Sequence, residues 1–150
     1  MIYTIAAATQ ILNSKFTIAT VISVTELKSV VSVVYTRKGV RGKCCTFVSK
    51  QEFKEYFVTA RQLRSKSYQV KNVPGGDYVV SGFENDTVRS QYLVSLEAFR
   101  IVCTCPDYRE QNRLFKGRGC CKHGYAVLNH LGFSSLSDYI VVNQSQRRRA

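Results

Sequence analysis

The chain has 150 residues, room for one ordinary domain or two small lobes. Its 45% hydrophobic content allows a true core, and no apolar run approaches the roughly 20 residues of a membrane span. Lys and Arg number 22 against 10 Asp and Glu, a net charge of +12 that favours polyanionic partners, chiefly nucleic acid and more weakly an anionic surface. The excess is concentrated in residues 1–65, which hold ten basic and three acidic side chains.

Tyr3 to Leu12 reads as a short helix punctuated by Asn13. The opening MIYTIAAATQIL lacks a positive n-region and its apolar run is interrupted, so no secretory leader is expected. Phe16 to Val24 and Ser29 to Thr36 are rich in Val, Ile and Thr and read as strands. Arg37-Lys38-Gly39-Val40-Arg41-Gly42 is a basic turn, and Lys43 to Val48 returns as a third strand. Ser49 and Glu52 form a capping-box signature before SKQEFKEYFVTARQL, where Phe53, Tyr56, Phe57 and Ala60 fall at helical spacing. Arg64 to Ser67 reads as a seam between lobes. Tyr68 to Val73, the Pro74-Gly75-Gly76 turn and Tyr78 to Val80 form a second hairpin signal. Gln91 to Leu96 and Phe99 to Val102 read as further strands leading to Cys103. A long polar segment follows, then a helix from Lys122 to Leu131 closed by Gly132. The expected class is α+β: small antiparallel sheets with packed helices, divided into a basic lobe over 1–65, a second lobe over 66–133 and a C-terminal tail over 134–150 with a disordered basic end.

The six cysteines are expected to be intracellular thiols or metal ligands rather than disulfides. From Cys103 the chain reads CTCPDYREQNRLFKGRGCCKHGYAVLNHLGF: C-x-C, a long loop, then C-x-H. A structural zinc site wants four N or S ligands in a tetrahedron, with Zn–S near about 2.3 Å and Zn–N near about 2.0 Å. Cys103 and Cys105 would come from a strand end, Cys121 and His123 from the start of a helix whose dipole favours the Cys121 thiolate. Arg118 and Lys122 would offset the net negative charge of such a centre. Cys120, beside Cys121, is an alternative ligand in C-x-x-H spacing. His130 reads as a partly buried polar residue, and Cys44 or Cys45 as core.

Strands, C-x-C-P, a long loop, C-K-H and an apolar helix together resemble the SWIM family of zinc fingers. The likeness covers residues 66–133 and is sharpest over 103–131; it does not extend to residues 1–65, a lobe of unknown family. It implies a strand–strand–helix core around one structural zinc ion bound through C-x-C and C-x-H, and it assigns the third ligand to Cys121. It also implies a role as a DNA-binding or protein-interaction module.

Enzyme chemistry is not expected. The chain has no P-loop, no G-x-S-x-G and no H-x-E with P-C-x-x-C, and four protein ligands would close the metal to water. The basic residues between the ligand pairs, Arg109, Arg113, Lys116 and Arg118, with Lys122 beyond them, are candidates for phosphate contacts, and Tyr108 and Phe115 for base stacking. Gly117 and Gly119 would allow a close backbone approach. Arg37, Lys38, Arg41 and Lys43 offer a second basic site, and Arg147, Arg148 and Arg149 non-specific affinity. The expected function is non-enzymatic binding of nucleic acid, DNA before RNA, with weak sequence preference, in cytoplasm, nucleoid or nucleus and not at a membrane. The alternative is an adaptor that docks a protein of a recombination, transposition or helicase complex.

Overall fold

The computed structural model describes residues 2–115, 117 and 119–147. They form an α+β structure with two small antiparallel sheets, as the sequence leads one to expect. Two compact units result, one ending at Ala60 and the other beginning at Arg61.

In the first unit, α1 (Ile5–Asn13) begins at Thr4, whose Oγ1 accepts a hydrogen bond from the Ala7 N–H at 3.1 Å. Ala7, Ala8, Ile11 and Leu12 form its buried face. β1 (Ile18–Glu26), β2 (Val30–Arg37) and β3 (Cys44–Ser49) follow as an antiparallel sheet in that order. The two-residue period of a strand shows in β2, where Val31, Val33 and Tyr35 are buried and their neighbours are not. Val21 and Val48 add to the same inner face, and Phe53 of α2 (Lys50–Ser65) completes the core, with the Tyr3 ring edge-on to it at 5.3 Å. Ser49 caps α2 by accepting from the Glu52 N–H at 3.0 Å. The Glu52 carboxylate pairs with Lys15 Nζ at 2.5 Å, so the longer-range ion pair takes the acid of the expected capping box.

The second unit contains a four-stranded meander: β4 (Tyr68–Asn72), β5 (Tyr78–Glu84), β6 (Thr87–Leu96) and β7 (Ile101–Cys103). Asn85 and Asp86, with φ of 50° and 60°, supply the left-handed pair that a tight β5–β6 turn requires. That hairpin is longer than expected, because its polar tip reads as loop in the sequence. α3 (Pro106–Leu114), α4 (Lys122–His130) and α5 (Leu136–Arg147) follow. α4 packs on all four strands. Val80, Val94 and Ile101 meet Ala126, Val127 and Leu128 there. A Cβ on Gly124 would lie 2.9 Å from Cys120 Sγ and 3.3 Å from Ile101 Cγ2, so glycine lets α4 approach β7. α4 closes with Gly132 at φ 82° and the Phe133 N–H donating to the Leu128 carbonyl at 2.9 Å. Leu131, the C-cap of α4, is exposed.

Two segments read as irregular are helical. Pro106–Leu114, taken as part of a long polar loop, is α3: Cys105 is its N-cap, Pro106 suits the first turn, and Asp107 favours the positive end of the dipole. Residues 136–147, taken as tail, form α5. The Ser135 Oγ accepts from the Asp138 N–H at 3.1 Å, and Tyr139 is buried with its hydroxyl donating to the Glu97 carbonyl at 2.8 Å. Arg148 and Arg149 lie outside the described residues, as does the side chain of Arg147.

Candidate metal centre

Cys103 ends β7, its pairing fixed opposite Val94 of β6. Thr104 extends that register: its N–H donates to the Leu93 carbonyl and its Oγ1 accepts from the Leu93 N–H, both at 3.1 Å. Cys105 then caps α3, its Sγ accepting from the Tyr108 N–H at 3.3 Å. Cys121 caps α4 in the same manner, accepting from the Gly124 N–H at 3.4 Å. His123 stands in the first turn of α4. Two helix N-termini therefore meet at one point, each presenting a thiol sulfur to its backbone donors, an arrangement that favours thiolates.

The four ligand atoms lie within 4.8 Å of one another and all four residues are buried. His123 Nδ1 is 3.8 Å from Cys103 Sγ and 3.9 Å from Cys121 Sγ. A tetrahedron with Zn–S near about 2.3 Å and Zn–N near about 2.0 Å has S···N edges of about 3.5 Å, so these two separations lie only about 0.3–0.4 Å outside those of a site closed on an ion. The Nε2 of His123 is buried with no hydrogen-bond partner among the described residues. Its surroundings are aromatic: Tyr68 lies at 4.7 Å, perpendicular, and Tyr92 at 4.6 Å, tilted by 34°. The imidazole is thereby oriented with Nδ1 as the metal-facing nitrogen.

Without a cation the sulfurs are in conflict. Hydrogen bonds from Cys103 and Cys121 hold the Cys105 thiol well below its usual range. Cys103 is pushed up to about 12, chiefly by its hydrogen bond to Cys105, and Cys121 is raised by its bonds to both. A divalent ion resolves this, because it displaces the shared protons and holds three thiolates at once. Cys120 stands outside the cluster. It is buried near Gly124, its Sγ donates to the Cys121 carbonyl at 3.7 Å, and burial raises its thiol. The ligand set assembled by the fold is Cys103, Cys105, Cys121 and His123, and Cys120 is not part of it. His130 is exposed and contacts the Tyr78 ring at 6.2 Å. Cys44 is half-buried against the first core and Cys45 is exposed.

The basic candidates are placed as follows. Lys38, Arg41 and Lys43 are exposed in the β2–β3 turn, with no ion pair among the described residues; Arg37 lies over the Phe16 ring at 5.6 Å. Arg109 and Arg113 are exposed on α3, and Arg113 pairs with Glu110 at 2.9 Å. Lys122 Nζ lies 5.2 Å above the Tyr68 ring. Lys116 and Arg118 lie outside the described residues. Two candidates change role: Tyr108 is buried against the core rather than free to stack, and Gly119 is small because a Cβ would meet the Gln111 backbone carbonyl carbon of α3 at 2.9 Å. Tyr68, Tyr92 and the Arg61–Asp107 ion pair at 2.7 Å were not singled out from the sequence. Tyr68 and Arg61 lie far along the chain from the cysteines, and Asp107, though two residues from Cys105, has a partner 46 residues away, so no local signal marks them.

Among the described residues no helix is long and apolar enough to cross a membrane. Comparison with curated proteins and with solved structures gives no match. Residues 92–132 match the family model of the SWIM zinc finger, and with its four ligands gathered at the ends of β7, α3 and α4 this segment is a SWIM zinc finger built to hold one structural zinc ion.

Proposed function

We propose that the chain is a non-enzymatic, zinc-stabilised nucleic-acid-binding protein with weak sequence preference. The observation that carries this reading is the surplus of cations, above all Lys38, Arg41 and Lys43, which share one exposed turn and have no ion pair among the described residues, in a chain of net charge +12. Such groups neutralise phosphates and release counterions but read no base edges. DNA is the preferred partner because the SWIM module is a DNA-binding or protein-interaction module in the family it resembles. Four protein ligands leave the zinc no open position for substrate or water, which supports a structural rather than catalytic ion. Six cysteines with no disulfide among the described residues suit a reducing, intracellular compartment.

Fluorescence anisotropy of the zinc-loaded protein with single- and double-stranded DNA and RNA at two salt concentrations tests this. Micromolar or tighter binding that weakens steeply with salt is expected. Absence of binding at low salt would favour the adaptor reading, a module docking a protein of a DNA-processing complex.

A further inference from the structure

Two hollows open on the second unit beside the zinc ligands. One, of about 560 Å³, is lined by Arg89, Ser90, Tyr92 and Lys122. The other, of about 340 Å³, is lined by Lys66, Asn129 and His130. Tyr68 lines both, so the two flank a single aromatic ring. Cations accompany the rings on either side. Lys66 and Lys122 have no carboxylate partner among the described residues. Arg89 pairs with Glu84, but both side chains are largely exposed, and a phosphate displaces such a pair at little cost. The one acid in the lining, Asp107, is already engaged by Arg61 at 2.7 Å and by Gln111 Nε2 at 2.9 Å.

Lys122 already lies over one face of Tyr68, at 5.2 Å from its centroid, so rings and cations alternate along the lining as a single strand requires. Unstacked bases need π-faces, and the backbone needs positive charge alongside. A duplex keeps its bases stacked inside and has no use for tyrosines set in a hollow. We propose that the groove around Tyr68 is a track for single-stranded nucleic acid, in which Tyr68 and Tyr92 take bases and Lys66, Arg89 and Lys122 take phosphates. The proposal rests on the nucleic-acid reading above and locates its principal contact in the second unit. It also links binding to the metal. Tyr68 and Tyr92 both pack on His123, so the platform keeps its shape only while that ring is held.

The test uses the zinc-loaded full chain with labelled oligothymidylate and a matched duplex, measured across salt. The variants are Lys66→Gln/Arg89→Gln/Lys122→Gln, Tyr68→Leu and Tyr68→Phe, each checked for zinc content. The single strand is expected to bind more tightly than the duplex. The triple variant should flatten the salt dependence by about 2 in log–log slope. Tyr68→Leu should lose about tenfold in affinity and Tyr68→Phe almost nothing. An oligonucleotide carrying 5-iododeoxyuridine should cross-link to the peptide containing Tyr68 or Tyr92. Should Tyr68→Leu lose its zinc, the triple variant and the cross-link decide. Wild-type affinity and slope in the triple variant, with cross-links elsewhere, overturn the track but leave the nucleic-acid reading standing. Failure of the wild-type chain to bind any nucleic acid at low salt overturns both.

Discussion

The two units solve the same problem, closing a small core, by different means. The first relies on apolar burial: Ala8, Leu12, Val31, Val33 and Phe53 are all but fully buried, and Tyr35 is the one titratable side chain in that buried cluster. The second has a three-residue edge strand and short helices, and it places four metal ligands inside the core that the first fills with valine. Burial of apolar surface is independent of conditions near neutral pH, whereas a thiolate cluster holds only with its ion. The first unit is therefore expected to persist without zinc and the second to depend on it.

The largest effect should come from removing the metal. A structural zinc contributes about 10–16 kcal/mol of apparent binding free energy in small zinc-finger peptides. Chelation, or Cys103→Ser, is expected to unfold the zinc lobe, with hydrogen exchange accelerating over residues 68–131 while the amides of β1 to β3 stay protected. Uniform loss of protection in both units would break the comparison. Cys121→Ser should act likewise, and Cys120→Ser should retain one zinc per chain by mass spectrometry. Acid should reproduce chelation. Protons compete for the three sulfurs, so the zinc-dependent stability is present at neutral pH and is lost as pH falls. Cys103 and Cys121, whose thiols are raised without the ion, bind protons as zinc leaves.

Next in size, Phe53→Ala should cost about 3–5 kcal/mol in the first unit by opening a cavity, with no change in zinc content. Gly124→Ala should cost about 1–3 kcal/mol in the second, through the contacts with Cys120 and Ile101, read as a lowered midpoint in urea for the zinc-loaded protein. The smallest change should follow Asp138→Asn. Hydrogen bonds from the Ser134 and Ser135 hydroxyls lower the Asp138 carboxyl below its usual range. A depressed acid stabilises α5 above its ordinary titration range and ceases to as pH falls through its folded value. A slight drop in melting temperature at pH 7 that vanishes in acid is expected, and a drop of equal size in acid would contradict the assignment.

What the sequence discloses follows from how local each signal is. β2 is legible because it is rich in β-branched residues and β3 because a basic, glycine-bearing turn leads into it, and the ligands because C-x-C and C-x-H are local patterns at a strand end and a helix start. α3 was hidden because its cap is Cys105, a residue read as a ligand and in fact serving as both. α5 was hidden although Ser135 and Asp138 stand in capping-box spacing, since the apolar residues that follow, Tyr139 to Val142, form one continuous run and show no helical period. The β5–β6 hairpin was shortened because Glu84, Asn85 and Asp86 read as loop, while the left-handed pair at its tip is turn chemistry. Tyr68 and Tyr92 could not be found locally at all. They reach His123 only once the meander has formed, and neither carries a mark that distinguishes it from the other tyrosines.

The most direct measurement is zinc K-edge X-ray absorption on the purified protein. One zinc with three sulfurs near about 2.3 Å and one nitrogen near about 2.0 Å is the expected shell. A four-sulfur shell would mean that Cys120 replaces His123, and a shell of nitrogen and oxygen, or no bound zinc, would contradict the centre altogether.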